Sequence, residues 1–243
     1  MFDFGIVTKW IDDLLNGFLP GWLSTTIECA LVGVALLLMY SIIAIIYIFY
    51  ERKLCAWIQC RLGPMRVGPW GVIQVFADVI KILTKEIVTL WGTDQFLFKL
   101  APYFVVISSM LMFACLPWGN GLQVIDMNIG VFFIVAVSSI GVLGILLAGW
   151  SSNSKYTLIG AMRSGAQMVS YELSVGLSML TVVVLAGTMS IGGIVDAQSN
   201  GWFIFTGHVP AIIAFIIYII AANAENNRGP FDLAEAEHEL TAG

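Results

Sequence analysis

The sequence predicts an all-α protein: a polytopic bundle of transmembrane helices with an amphipathic helix on the inner membrane surface. Of its 243 residues, 59% are hydrophobic and only 11% are charged, which is more apolar surface than a soluble core of this size needs. Five apolar stretches have about the 20 residues that cross a hydrocarbon core of roughly 30 Å. Basic residues cluster in alternate connections between these stretches. We therefore interpret residues 1–243 as one membrane domain.

The predicted spans cover residues 25–50, 96–117, 129–150, 168–187 and 202–224. The fifth is interrupted by Gly207, His208 and Pro210, so its uninterrupted apolar part is short. Its end, and with it Glu225, is expected to lie at or below the level of the lipid headgroups rather than in bulk water.

The orientation of the spans follows from the 11 Lys and Arg residues. All of them except Lys9 fall at one end of the spans, whereas the connections 118–128 and 188–201 contain none. The positive-inside rule then places the N-terminus outside. It places the long first connection and the segment 225–243 on the cytoplasmic side.

The first connection contains a helical pattern of its own. The pairs Gly63-Pro64 and Gly68-Pro69 predict turns. From residue 70 to 86, polar residues recur at helical spacing opposite an apolar side, and we predict an amphipathic helix along the inner membrane face. The polar residues are Gln74, Asp78, Lys81 and Lys85. A plain surface anchor, with Asp78 as an ordinary ion-pair partner on the helix, is the alternative interpretation.

Glu172 is a candidate functional residue because it lies within the fourth predicted span. An ionisable side chain inside the membrane is costly and commonly faces the bundle interior at a functional site. The alternative is a structural polar residue that is hydrogen-bonded to another helix.

The segment that follows the fifth span is unusually acidic. Glu225, Asp232, Glu235, Glu237 and Glu239 lie within fifteen positions, with Arg228 and the titratable His238 among them. We expect the pKa values of several carboxyls after the span to be raised by desolvation and mutual repulsion, and their titrations to be coupled. The alternative is a solvated helix start, because Asp232 and Glu235 have the spacing of a capping box.

Several runs of residues resemble a single known family. They are Glu51-Arg-Lys53, Arg61-Leu-Gly-Pro64, Gln167-Met-Val-Ser-Tyr-Glu172 and Ala224-Glu-Asn-Asn-Arg-Gly-Pro-Phe-Asp232. These runs resemble the H subunit of bacterial NADH–quinone oxidoreductase (respiratory complex I), the counterpart of subunit 1 of mitochondrial complex I. The resemblance extends in the same order from about Glu51 to the end of the sequence.

The resemblance implies a membrane subunit that binds no redox cofactor and has no complete active site alone; the spacing of the four cysteines predicts no metal site either. Family members form a quinone entrance and chamber with peripheral-arm subunits, and couple quinone reduction to proton translocation through carboxyl groups. Quinone is the substrate, and iron–sulfur clusters and FMN lie in partner subunits. The partners are peripheral-arm quinone-site subunits, neighbouring membrane subunits and lipid, and not nucleic acid. The family continues through about three more spans, which this sequence is expected to lack.

The resemblance also implies roles for individual residues. The quinone-chamber set is Glu51, Arg52, Trp57, Arg61, Phe76, Arg228 and Asp232, with Trp70 as a further wall residue. The proton-coupling set is Asp78, Glu86, Glu172, Glu225, Glu235, Glu237 and Glu239. His238 departs from the small residues usual in the family. The location implied is the bacterial inner membrane, or the mitochondrial inner membrane in a eukaryote.

Two other functions fit parts of the same pattern. The membrane anchor of an energy-converting [NiFe] hydrogenase would share the acidic track but bind no quinone. A freestanding carboxylate-based transporter would explain Glu172 but not the charged inner surface. Retention of Glu51-Arg52-Lys53 with Arg61-Leu-Gly-Pro64 favours the quinone enzyme over the hydrogenase anchor.

Overall fold

The computed structural model describes residues 20–86, 88–89, 91–119 and 123–231. In this part of the chain every regular element is a helix, which confirms the predicted all-α class. The predictions for Asp232, Glu235, Glu237, His238 and Glu239 lie outside the described residues.

The helices follow one another with short connections. They are α1 (Gly21–Ile58), a 3-10 turn (Pro69–Gly71), α2 (Ile73–Leu83), α3 (Gln95–Cys115), α4 (Gly130–Ser151), α5 (Lys155–Ala186), α6 (Ile191–Ala197), α7 (Phe203–Thr206) and α8 (His208–Glu225). By length and composition α1, α3, α4, α5 and α8 are able to cross a membrane, which agrees with a polytopic bundle. The described residues form two units, 20–89 and 91–231.

Two membrane helices are longer than the predicted spans. Helix α1 continues past Tyr50 to Ile58, so Glu51 and Arg52 lie inside the helix and do not follow it. Helix α5 begins at Lys155 and not near 168. It ends at Ala186 and is capped by Gly187, which has a φ of 69°. The reason is the same in both: polar and charged residues interrupt an apolar run without breaking the helical backbone.

The first unit contains α1 and α2, which contact each other. Helix α2 covers only Ile73–Leu83, shorter than the predicted 70–86. Gly71, just before it, has a φ of 79°, and an added Cβ would lie 2.0 Å from the carbonyl oxygen of Pro64. A glycine is therefore required where the two turns of this connection meet. The apolar side chains Phe76 and Ile80 remain exposed, as expected of an amphipathic surface helix.

The second unit is built by pairwise packing of α3 with α4, α4 with α5, and α5 with α8. Helices α5 and α8 run antiparallel, because Gly207 at the start of α8 lies against Leu185 and Ala224 near its end lies against Gln167. Small residues line the contacts: Ala221 and Ala224 of α8 are almost fully buried. Small side chains let membrane helices approach closely, where van der Waals packing stabilises them.

Candidate functional site

The side chain of Glu172 lies near the middle of α5 and is bonded to α4. Ser138 Oγ and Ser139 Oγ both donate to its Oε1 atom, at 2.7 and 2.5 Å. The two serines are adjacent residues of α4, flanked by Val137 and Ile140. Glu172 is therefore hydrogen-bonded to another helix through two hydroxyl donors, which stabilise a carboxylate.

Glu172 and Ser139 also line a groove of about 600 Å³ between α4 and α5. The remaining lining is almost wholly apolar: Val131, Phe132, Val135, Ala136, Val169, Leu173, Gly176, Leu177, Leu180, Val183 and Met189. A carboxyl in such a wall is held in a low-dielectric environment, where its interactions with other charges are strong.

Glu225 is the last residue of α8, as the sequence predicts for the end of the fifth span. Its charge interacts with the Glu172 carboxyl and with the Tyr218 phenol. A helical side chain leans toward the N-terminus of its helix, which directs Glu225 back along α8 toward the level of Glu172. The structure thus brings together two carboxyls that lie on different helices.

Gln167 connects the same two helices. Its side chain is 7% exposed. Its Nε2 atom donates to the carbonyl oxygens of Ala224 at 3.0 Å and Phe231 at 2.7 Å. The ring of Phe231 also contacts the edge of Tyr171, with centroids 5.1 Å apart. One amide therefore joins α5, the end of α8 and the segment after it.

In the first unit, Arg52 and Asp78 form an ion pair in which Arg52 Nη1 donates to Asp78 Oδ2. Gln74 Nε2 donates to the other carboxyl oxygen of Asp78 at 3.2 Å. The Arg52 guanidinium and then the Gln74 amide lower the pKa of Asp78 below its ordinary value. The partner of Asp78 is therefore an arginine on α1 and not a lysine of its own helix.

A groove of about 700 Å³ lies beside this ion pair, at the cytoplasmic end predicted for α1. Its lining is Ile48, Glu51, Arg52, Cys55, Arg61, Leu62, Gly63 and Pro64. Arg61 Nε donates to Gln59 Oε1 at 2.6 Å. Three of the predicted quinone-chamber residues, Glu51, Arg52 and Arg61, therefore share one groove.

The other predicted residues have different positions. Trp57, Trp70 and Phe76 are exposed and do not line this groove. Glu86 is exposed beyond the end of α2, and Arg228 is exposed beyond the end of α8. Their assigned roles stay predictions.

Three polar residues of the site, Ser138, Ser139 and Gln167, were not predicted from the sequence. A pair of adjacent serines inside a strongly apolar span was the available signal, since polar side chains in spans commonly bond to a neighbouring helix. For Gln167, the sequence offered only its place at the start of the run Gln167-Met-Val-Ser-Tyr-Glu172.

Comparisons with known proteins agree with the architecture. Residues 31–243 match the family model described as NADH dehydrogenase. Over its whole length the chain is 65% identical to the NADH-quinone oxidoreductase H subunit of Phocaeicola vulgatus and covers 68% of that protein. It is 62% identical to the H subunit of Bacteroides thetaiotaomicron, with the same coverage. The second H subunit of Geobacter sulfurreducens is 45% identical over 89% of the chain, which covers 68% of that protein. From these matches and its five apolar helices, the chain belongs to the NADH-quinone oxidoreductase H-subunit family of multi-pass membrane proteins.

Proposed function

We propose that this chain forms the quinone entrance and chamber of a proton-translocating NADH–quinone oxidoreductase, together with peripheral-arm subunits, and couples quinone reduction to proton translocation. The observation that carries the coupling role is the pair Glu172 and Glu225, two interacting carboxyls on packed membrane helices. Membership of the H-subunit family supports the assignment to the quinone enzyme over a hydrogenase anchor or a freestanding transporter.

The coupling step is electrostatic. Negative charge that forms on a quinone during its reduction favours protonation of the nearest carboxyl. Because the charges of Glu225 and Glu172 interact, a change of protonation at one alters the proton affinity of the other. Ser138 and Ser139 donate hydrogen bonds to Glu172, which hold its carboxyl in place between α4 and α5.

The quinone path is assigned to the first unit. The groove that contains Glu51, Arg52 and Arg61 offers guanidinium groups beside apolar wall atoms. A guanidinium stabilises negative charge that develops on a quinone headgroup. The Asp78 carboxylate holds Arg52 in place, which orients its remaining N–H donors.

Location and partners follow from the same proposal. The distribution of the basic residues supports a cytoplasmic position for the groove and the acidic segment, and membership of the H-subunit family supports a bacterial inner membrane. Peripheral-arm subunits that carry FMN and iron–sulfur clusters would bind there and deliver electrons to quinone. Neighbouring membrane subunits would cover the exposed apolar helix faces.

The test replaces each carboxyl of the pair by its neutral isostere in the assembled enzyme. Glu172→Gln and Glu225→Gln should each lower coupled quinone reduction by about a hundredfold or more, the size of effect expected when a proton-transfer group is lost. Electron transfer from NADH to an artificial acceptor should stay unchanged. The matched control is Asp196→Asn, which neutralises an exposed carboxyl of the same unit. Parental quinone reduction and proton pumping in both glutamine variants would rule out the coupling role.

A further inference from the structure

Gln167 is held by its two amide donors. Both of its Nε2 bonds go to backbone carbonyl oxygens, which accept and never donate. The NH₂ group must therefore face Ala224 and Phe231, and the orientation of the amide follows from its partners. The Oε1 atom is buried and has no hydrogen-bond partner in the part of the chain that the structure describes. The donors alone account for the position of this side chain.

The bond from Gln167 to Ala224 sets the position of α8 along the axis of α5. Ala224 immediately precedes Glu225, and Gln167 lies five residues before Glu172 on α5. A slip of one residue between the helices would displace one carboxyl relative to the other by about 1.5 Å. The bond from Gln167 to Ala224 opposes such a slip next to the pair.

The second bond closes the segment that follows α8. Phe231 N donates to Arg228 O at 2.8 Å, and Asn223 Nδ2 donates to Gly229 O at 3.5 Å, so residues 223–231 fold back on themselves. Gln167 attaches the end of this folded segment to α5 through Phe231. Contact between Phe231 and Tyr171 supports the same attachment.

We propose that Gln167 is a positioning residue: its amide holds Glu225 at the separation from Glu172 that proton coupling requires and anchors the segment 226–231 to α5. The role rests on the proposed function of the carboxyl pair. Gln167 does not itself exchange protons, because a carboxamide does not titrate in the physiological range.

The experiment compares three variants in the assembled enzyme. Gln167→Met keeps the shape and removes both donors. Gln167→Glu keeps the shape and presents an acceptor when ionised, but one O–H donor when protonated. Ser170→Ala is the control, because Ser170 Oγ donates to Ala166 O within α5. The charged and titratable groups nearby, Arg163, Tyr171, Glu225 and Arg228, are the same in all three.

Two readouts are needed. Hydrogen exchange of the backbone amides of residues 226–229 and Phe231 should be about tenfold faster in Gln167→Met than in the parent. Coupled quinone reduction should fall by about tenfold in the same variant. In Gln167→Glu both effects should be present at about pH 8 and should decrease toward parental values at acid pH, each compared with the parent at that pH. Ser170→Ala should match the parent throughout.

The outcomes separate the two proposals. Parental exchange and activity in Gln167→Met would overturn the positioning role, as would faster exchange with unchanged activity. A Gln167→Glu variant that shows no recovery at acid pH would also contradict it. The exchange readout does not depend on turnover, whereas parental activity of Glu172→Gln and Glu225→Gln would contradict the proposed function itself.

Discussion

The hydrogen-bond partners of Glu172 come from a different helix. Its place in an apolar span is evident from the chain, but its two donors, Ser138 and Ser139, come from another helix 34 and 33 residues earlier. Without them, the same carboxyl would face an almost wholly apolar groove. The hydroxyl donors make an ionisable group tolerable at this depth.

A pH-dependent contribution to stability is expected from Asp78. Its pKa is lowered by Arg52, so the carboxylate stabilises the folded state above its unfolded pKa of about 3.9, and the contribution is lost as pH falls through the folded pKa. Asp78→Asn should lower the thermal stability of the assembled enzyme at neutral pH. The difference from the parent should shrink as the pH falls below about 4 and should vanish below the lowered pKa of the folded state.

Thermal unfolding of parent and Asp78→Asn between about pH 3 and pH 7 would measure this difference. Asp196→Asn serves as the control, since it removes an exposed carboxyl and leaves the Arg52 ion pair intact. A difference that is the same at every pH would mean that the ion pair is not its cause.

At the scale of elements, α4 and α5 approach each other closely at Gly149. An added Cβ there would lie 2.1 Å from the Cβ atom of Ala161, which is far too close. Gly149→Ala should therefore force the helices apart and destabilise the fold by about 1–3 kcal/mol. The double variant Gly149→Ala with Ala161→Gly removes the clashing atom and should recover most of the loss.

Gly160 provides the matched control for this prediction. It lies in the same pair of helices, and an added Cβ would meet nothing within 4 Å. Gly160→Ala should be neutral or stabilise by about 0.5–1 kcal/mol, because alanine favours a helix interior. Thermal unfolding in mild detergent measures all three, and equal stabilities of the two single variants would show that α4 and α5 do not pack in this way.

The orientation of the whole molecule is predicted by its basic residues. Cys60 is exposed in the first connection, which we place on the cytoplasmic side. Asn200 is exposed in the connection 188–201, which we place outside. In a background without the other cysteines, a membrane-impermeant maleimide should label Cys60 only after the inner side is opened. An Asn200→Cys variant that lacks the natural cysteines should be labelled in intact cells.

Labelling of both positions from the same side would contradict the predicted number of crossings between them. The reverse pattern would invert the orientation and would place the acidic segment outside. The reverse pattern would be incompatible with a cytoplasmic quinone chamber at the Arg52 groove.

Local features of the sequence were sufficient for the class of the protein. The hydrophobic pattern and the helix-breaking residues are local signals, each contained within a single helix. The all-α bundle and the amphipathic α2 were therefore predictable from the sequence. Glu172 and Glu225 were predictable as candidates because a carboxyl in or at the end of an apolar run is costly wherever the helices go. Helix ends were predicted less well. The apolar run of α1 stops before the helix ends, and the apolar run of α5 starts after the helix has begun.

The identity of each polar partner was decided only by the tertiary structure. Arg52 and Asp78 are 26 residues apart, and Gln167 reaches Ala224 and Phe231 across 57 and 64 residues. Such pairs depend on which helix faces pack together and on the relative positions of the helices along their axes. Those quantities are set by the packing of small residues such as Gly149 and Ala224 along whole interfaces. The sequence alone therefore determined which groups must find partners, and the packing of the helices determined which partners they found.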